Sequence, residues 1–436
     1  MLALLALQVF AQTPDPLLEP PPAAERRLSS WEEAVQLFSA KSPDLKIAAA
    51  DIVRAGGRKR QALAALLPQA GVTGTAQVGL LPPPPGVSGF TAAFFGAGQL
   101  FLVNAVAQLA LIDARAWNAL ATAYEAEDAA NLTADDARRL LLLNLAQVLL
   151  GVVAAERVAE ISRVGLKDAL SRLALADRAA RAGASTEIDL GRTRQDAELQ
   201  RAQVVQADEQ VRQAREALGL ALGLSEPVGL TPDFQLEGLA DRVLGRCRTL
   251  AGLEDRADQR AARAREELAR RATLDVKASF LPSLGVRMNY NAFVLPNPMP
   301  NERPDLHIWN VQAVLTVPIW DGGSRYGALR DAKAQEQQAA ARRDATERVG
   351  RVDVDRARRQ VEVANQARVI AAKALEQAER VDQLTRKAFD AGLGTSLELV
   401  TAASALRQQQ LNLALREYDV VRARVVALFA LADCPP

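Results

Sequence analysis

Four segments of the chain alternate apolar and polar positions with a period of two. In the first, Ala70, Val72, Gly74, Ala76 and Val78 alternate with Gln69, Gly71, Thr73, Thr75 and Gln77. In the second, Phe101, Val103, Ala105, Ala107, Leu109 and Leu111 form one face, and Asn104 and Gln108 stand on the other. The third sets Phe280, Leu284, Val286, Met288 and Tyr290 against Ser283, Gly285, Arg287, Asn289 and Asn291. The fourth sets Trp309, Val311, Ala313, Leu315 and Val317 against Asn310, Gln312 and Thr316. This period predicts strands over about 68–80, 99–112, 279–293 and 307–319, each with one apolar and one polar face. Such strands fit a transmembrane barrel with lipid outside and water inside. Two amphipathic hairpins packed on a soluble core share the alternation, and the rest of the chain has to separate the two readings.

The pattern then changes to a helical one. Proline is absent from Gly86 to Glu226 and from Ile319 to Cys434. Interior proline costs a helix about 3 kcal/mol, so these stretches favour helix. Asp113 to Arg181 runs unbroken to a turn at Gly183, and Gly322 to Ala391 runs to a turn at Gly392. At a rise of 1.5 Å per residue each rod is roughly 100 Å long. Rods of that length suit a coiled coil or a barrel of helices, with Ala and Leu at the seams and Arg, Gln and Glu outside. Two further helices, about 187–222 and 396–430, run back from the turns, and shorter ones, about 43–66 and 254–277, precede the hairpins. Rods of this kind after each hairpin weigh against the soluble-core reading.

These elements occur twice. Leu67-Pro68-Gln69-Ala70-Gly71-Val72 matches Leu281-Pro282-Ser283-Leu284-Gly285-Val286, and Ile112-Asp113 matches Trp320-Asp321. Ala182-Gly183 followed by Thr186 and Asp189 matches Ala391-Gly392 followed by Thr395 and Glu398. The organisation expected is a first repeat over 29–228, a linker over 229–249 and a second repeat over 250–436. Ahead of them, Leu2 to Phe10 is apolar, and Val9-Phe10-Ala11 precedes Gln12 like a small-residue cleavage site. Residues 1–11 therefore read as a signal peptide and 12–28 as a proline-rich extended lead-in. The usual positively charged start is missing, which leaves the true start open. No other segment has ~20 consecutive apolar residues.

Composition agrees with the helical reading. Hydrophobic residues make up 49% but aromatics only 4%, too few rings for an ordinary core of this size. Lys and Arg total 53 against 52 Asp and Glu, so charge points to no nucleic-acid partner. With His307 as the one histidine, neither a catalytic triad nor a metal site is supported, and a surface or loop role is expected for it. There is no phosphate-binding loop and no paired-thiol motif, so no cofactor and no enzyme activity are expected. Cys247 and Cys434 stand between helices in an exported chain, and whether they are bridged stays open.

Four strands cannot close a barrel, and open sheet edges are not tolerated in lipid. The smallest barrels have ~8 strands, so at least two chains are required, and three would supply twelve strands. The loops Leu81 to Gly98 and Leu295 to Asp305 are expected to face outside. Phe90, Phe94, Phe95 and Trp309 suit an outer aromatic girdle, although Phe94 and Phe95 equally suit a loop tip.

The chain resembles the TolC family of outer-membrane efflux proteins over nearly all of its mature length. Leu28-Ser29-Ser30-Trp31-Glu32-Glu33-Ala34 with Ser42-Pro43-Asp44-Leu45 is similar to the family's opening helix motif. Leu67-Pro68 and Leu281-Pro282 match the starts of its hairpins, and Val317-Pro318-Ile319-Trp320-Asp321-Gly322-Gly323 matches its strand-to-helix junction. Phe389 and Gly392 with Glu398-Leu399 match its turn at the periplasmic end. The resemblance implies a mainly α fold with a small β part. Long antiparallel helices would form an α-barrel tunnel in the periplasm, and four strands per chain would enter a 12-stranded barrel of a homotrimer in outer-membrane lipid. It also implies a periplasmic adaptor and an inner-membrane pump of RND, ABC or MFS type, with small molecules such as drugs as cargo. A pore-less coiled-coil protein and a specialised duct for metal ions or secreted proteins compete with this reading. The predicted lumen has no Met or His cluster to support a copper route.

The site residues follow from the repeat. Thr186 and Asp189, and Thr395 and Glu398, have the spacing of a capping box, in which Thr and the acid satisfy two orphan amides of the helix start. The resemblance implies a second role, as threefold rings of negative charge at a periplasmic constriction. The two roles can coexist. The family's second acidic position is Thr401 here and its basic latch position is Gly394, so a different lock is expected, with Arg192 and Arg194 as candidates. The turns with Gly183, Ala184, Gly392 and Gly394 are expected to dock the adaptor, and Gly183 and Gly392 to adopt positive φ. Arg287, Asn289 and Gln312 are expected to face the lumen. Arg287 would there tune ion passage or be only a solvated interior charge.

Overall fold

The structure is a computed structural model, and it describes residues 15–78, 99–183, 185–232, 234, 248–250, 252–294 and 305–433. Residues 1–11, read above as a signal peptide, the loops 81–98 and 295–304 with Phe90, Phe94 and Phe95, Ala184, Cys247 and Cys434 lie outside the described residues. In chain order the helices are α1 (Trp31–Lys41), α2 (Pro43–Ala64), α3 (Ala114–Arg181), α4 (Glu187–Ala221), α5 (Ala257–Ala278), α6 (Ser324–Asp390) and α7 (Ser396–Leu431). The strands are β1 (Arg26–Leu28), β2 (Gln69–Val78), β3 (Gln99–Asp113), β4 (Val228–Leu230), β5 (Arg248–Thr249), β6 (Ser283–Val294), β7 (Asp305–Thr316) and β8 (Ala432–Asp433). Helices α3 and α6 are unbroken over 68 and 67 residues.

Both long helices start on an aspartate at the same place in the repeat. The Asp113 carboxylate accepts the Ala116 amide at 3.0 Å. The Asp321 carboxylate accepts the amides of Gly323 at 3.2 Å and Arg325 at 3.0 Å. Such caps satisfy donors that have no partner in the first turn. Before α6 the chain turns through Gly322 and Gly323, with φ of 71° and 90°, a region that favours glycine.

The chain divides into two units. One holds residues 1–46, 137–256 and 349–436. Here β1 pairs in parallel with β4, Leu28 beside Leu230, and β5 pairs antiparallel with β8. The lead-in is therefore more than an extended arm, because its end enters a strand and Leu28 is fully buried. Ser30 caps α1 by accepting the Glu33 amide at 3.2 Å, while the Glu33 carboxylate accepts the Ser29 amide at 2.9 Å. Helix α1 then lays Trp31, Ala34 and Phe38 on Leu145, Leu149 and Leu150 of α3, Leu218 of α4, and Val425 and Phe429 of α7. By length and composition α3 contains a window apolar enough to cross a membrane, yet its leucines are the centre of this core.

The other unit holds residues 47–136 and 257–348. Its centre is a four-stranded antiparallel sheet in the order β2-β3-β6-β7. Directly paired residues share a face. Val72, Ala105 and Tyr290 with Trp309 therefore lie on one face, and Gln69, Gln108, Arg287 and Gln312 lie on the other. Among the described residues nothing covers the apolar face: Val72 is 73% exposed and Val311 69%.

Two details depart from the sequence pattern. Phe280 precedes β6 instead of joining it, because the amides of Ser279, Phe280 and Leu281 bond back to Val276, Lys277 and Ala278 in a tight turn that prolongs α5. Its ring meets Tyr326 edge-on at 5.3 Å and lies under the Arg325 guanidinium. In β3 a bulge between Ala110 and Ile112 breaks strict alternation, so Ile112, not Leu111, pairs with Leu284.

Leu149, 0% exposed, tests the core. Leu149→Ala is expected to cost about 2–5 kcal/mol through lost burial and a cavity. Thermal unfolding of the purified protein, followed by helical circular dichroism, should shift to lower temperature. An unchanged midpoint would remove Leu149 from the core.

Candidate functional site

The two turns that follow α3 and α6 end the long helices in the same way. Gly183 has φ of 72° and Gly392 has φ of 74°, the left-handed conformation that closes a helix. At the second turn the Leu393 amide reaches back to the Ala388 carbonyl at 2.9 Å and the Gly392 amide to Phe389 at 2.9 Å. Gly394 is needed for space, since a Cβ there would stand 3.0 Å from the Phe389 amide nitrogen. Leu393 at the tip is almost wholly exposed.

Each return helix then opens on a capping box. The Thr186 hydroxyl accepts the Asp189 amide at 3.2 Å and donates to the Asp189 carboxylate at 2.7 Å. The Thr186 amide donates to the same carboxylate. Thr395 and Glu398 repeat the arrangement: the Glu398 carboxylate accepts the Thr395 amide at 2.8 Å and hydroxyl at 3.0 Å. Thr401 does not extend the acidic layer, because its hydroxyl donates to the Leu397 carbonyl of its own helix.

One contact joins the two turns. The Ser396 hydroxyl, at the first position of α7, donates to the Asp189 carboxylate of α4. Ser396 is buried although its neighbours Thr395 and Leu397 are exposed. Arg192 approaches the same carboxylate at 3.8 Å, whereas Arg194 is exposed. Donors thus converge on Asp189 from two helices, and Glu398 stays with its own cap. The Ser396 hydroxyl, followed by the Thr186 hydroxyl, holds the Asp189 carboxyl below its ordinary value of 3.8. The Thr395 amide and hydroxyl hold Glu398 below its ordinary 4.5. Both acids carry charge at neutral pH.

In the other unit the polar residues form a ladder on one face of the sheet. Arg287 pairs in register with Gln312, and Asn289 with Asn310. The Arg287 guanidinium donates to Gln108 at 3.4 Å, and Gln108 donates to Gln69 at 3.1 Å. Asn289 and Gln312 both donate to the Asn310 carbonyl, at 2.9 and 3.5 Å. His307 is not a loop residue: it lies inside β7 on the apolar face, stacked on Tyr290 and 2.8 Å from its hydroxyl. Trp309 also packs against Tyr290, with ring centroids 4.5 Å apart. Among the described residues no group of three His, Cys, Asp or Glu is placed to hold a metal ion.

Sequence reasoning missed Ser396 and a buried charge cluster behind the turns, Arg172, Asp196 and Arg407. A serine at the first position of a helix looks like a second capping residue. The cluster joins positions far apart in the chain that have no counterpart in the repeat.

The sequence profile described as outer membrane efflux protein matches residues 34–224 and 251–432. No curated protein sequence matches. Among solved structures the fold is similar to that of CusC, with a TM-score of 0.77 and 18% identity over 94% of this chain and 97% of that one. It is similar to the outer membrane protein VceC of Vibrio cholerae, with a TM-score of 0.73 and 18% identity over 92% and 95% of the two chains. It is also similar to the CmeC outer membrane channel of Campylobacter jejuni, with a TM-score of 0.74 and 15% identity over 95% and 90%. At these identities the likeness is one of fold.

Thr186→Ala removes one cap and is expected to cost the start of α4 about 1 kcal/mol. Hydrogen exchange of the Asp189 and Leu190 amides should quicken accordingly, with the α7 start unchanged. Because both acids titrate low in the folded chain, their contribution is full above the ordinary carboxylate range and is lost as pH falls through the depressed values. Corrected exchange protection of both helix starts should therefore be flat from neutral pH down to 4.5 and decline only under acid. A decline that begins near neutral pH would contradict this electrostatic account.

Proposed function

The chain belongs to the outer membrane efflux protein family, and from that premise we propose that it is the outer-membrane channel of a tripartite system, a homotrimer that receives small toxic molecules, drugs among them, from an inner-membrane pump through a periplasmic adaptor. The protein resides in the outer membrane, with its helical part in the periplasm. The pump is of RND, ABC or MFS type.

The observation that carries this reading is the sheet. It has one uncovered apolar face, one polar face, and two edge strands, β2 and β7, without a neighbour on their outer sides among the described residues. In hydrocarbon each unsatisfied backbone group costs several kcal/mol, so only a closed barrel is tolerated. Three copies of the sheet supply twelve strands. The uncovered apolar face speaks against a pore-less coiled coil, which has no use for Val72, Val311 and Leu315 in water. In the barrel the apolar face meets lipid, and Arg287, Asn289 and Gln312 line the lumen. Tyr290, His307 and Trp309 stack on the lipid side, where amphipathic rings favour the interface.

Asp189 and Glu398 repeated around the threefold axis make rings of negative charge at the periplasmic mouth, in one acidic layer. Rings of carboxylates favour cations and repel anions. The capping boxes fix where these charges sit, so structural and gating roles fall on the same atoms. Thr186 and Thr395 aim the acids, and the turns with Gly183, Ala184, Gly392 and Gly394 receive the adaptor.

Conductance of the purified protein in planar bilayers tests the reading. Wild type should form a cation-preferring channel. Asp189→Ala and Glu398→Ala should each weaken the cation preference, and Asp189→Ala should also raise conductance by releasing Ser396. Unchanged conductance and selectivity in both variants would remove the gate assignment, and a wild-type protein that forms no channel would remove the pore.

A further inference from the structure

Two helical turns behind the mouth, a buried carboxylate joins three helices. Asp196 of α4 accepts Arg172 of α3 at 2.9 Å and Arg407 of α7 at 2.8 Å, one guanidinium on each oxygen. The Gln200 amide adds a bond at 3.4 Å. Asp196 is only 5% exposed, and both arginines are buried. Arg407 reaches this position by lying across Gly165 of α3. A Cβ at that glycine would stand 2.6 Å from Arg407 Cδ and 3.2 Å from Gln200 Oε1. The same helix holds Gly151, where a Cβ would meet nothing within 4 Å. Gly165 therefore has a steric reason that Gly151 lacks.

Two arginines on one aspartate leave an excess positive charge, which Asp168 attracts without a direct bond to Arg407. Taking these charges out of water is costly, and such networks are weak sources of net stability. Their best-attested use is to fix register between helices. The cluster is also incompletely satisfied, since Arg172 Nε and Gln200 Oε1 are buried without a hydrogen-bond partner. Spare donors and acceptors beside a charge network leave room for a second arrangement.

We propose that Arg172, Asp196 and Arg407, seated on Gly165, form a clasp that sets the register of α7 against the α3–α4 hairpin and so keeps Ser396 on Asp189 at the mouth. These are positioning residues: they act on the constriction through the helices that carry it. The proposal rests on the reading of Asp189 as part of a gate. The tip bond is partly exposed and single, whereas the clasp is buried and sets two guanidinium groups on one carboxylate, so the clasp biases the closed arrangement more strongly.

The test uses the full-length protein extracted from outer membranes, with assembly checked by native electrophoresis and single-channel conductance measured in planar bilayers. Arg407→Met keeps most of the side-chain length and leaves Asp196 and Arg172 as a balanced pair, so the protein should still assemble. Gly165→Ala breaks the same contact from the opposite side, and Gly151→Ala is its control. The first two should raise open probability by roughly tenfold, which corresponds to about 1.4 kcal/mol in the closed–open equilibrium, and Gly151→Ala should not. Wild-type gating in assembled Arg407→Met would overturn the proposal even if Gly165→Ala fails to fold. Failure of Arg407→Met to assemble would also overturn it, by showing a role in stability and not in register. If the clasp variants are silent while Asp189→Ala alters conductance, the clasp fails and the gate stands. If neither alters it, the gate reading itself has failed.

Discussion

Along the outer sides of β2 and β7, backbone amides and carbonyls face away from a sheet that ends there. In water such edges would be solvated. Here the face they border carries Val72, Phe101, Val103, Val311 and Leu315, all well exposed within the chain. An apolar face asks for lipid, and lipid forbids the open edge. The two demands are met together only if the sheet closes with other copies of itself. On the function proposed above, oligomerisation is a condition of the fold reaching its membrane, and the polar ladder from Gln69 to Gln312 would become an interior surface as a consequence.

The helical part obeys a different rule. Small residues and few rings let long helices approach closely, and most of the apolar burial gathers in one cluster around Phe38, Leu149 and Phe429. Away from that cluster the helices are joined by ion pairs and by small apolar clusters such as Ala159 with Val211 and Ala364 with Val420. Arg163 with Asp208, Arg215 with Glu156 and the Asp196 cluster all link neighbouring helices. Helices joined by ion pairs and small clusters can shift register at their ends without exposing a large core. This suits the gating proposed for the turns.

Much of this was legible in the sequence because it is local. Alternation marked the four strands, and missing proline with paired glycines marked the ends of α3 and α6. Threonine and acid at fixed spacing marked both capping boxes. What escaped depends on packing. The bulge before Ile112 and the turn that keeps Phe280 out of β6 are settled by hydrogen bonds the pattern does not encode. Leu28 looked like the end of a proline-rich arm and is a core residue, because its strand partner at Leu230 is far along the chain. Ser396 and Arg407 gain their partners only when α7 lies beside α4. His307 likewise gains its partner through pairing, because the register of Ala292 with His307 sets it beside Tyr290.

Closure by three copies is the claim on which the pore, the acidic rings and the lumen all rest. The direct measurement is the native mass of the assembly extracted from outer-membrane fractions in mild detergent. The account predicts a species of three chains, found with the outer membrane and not in the soluble periplasmic fraction. A single chain, or protein recovered mainly in the soluble fraction, would contradict it.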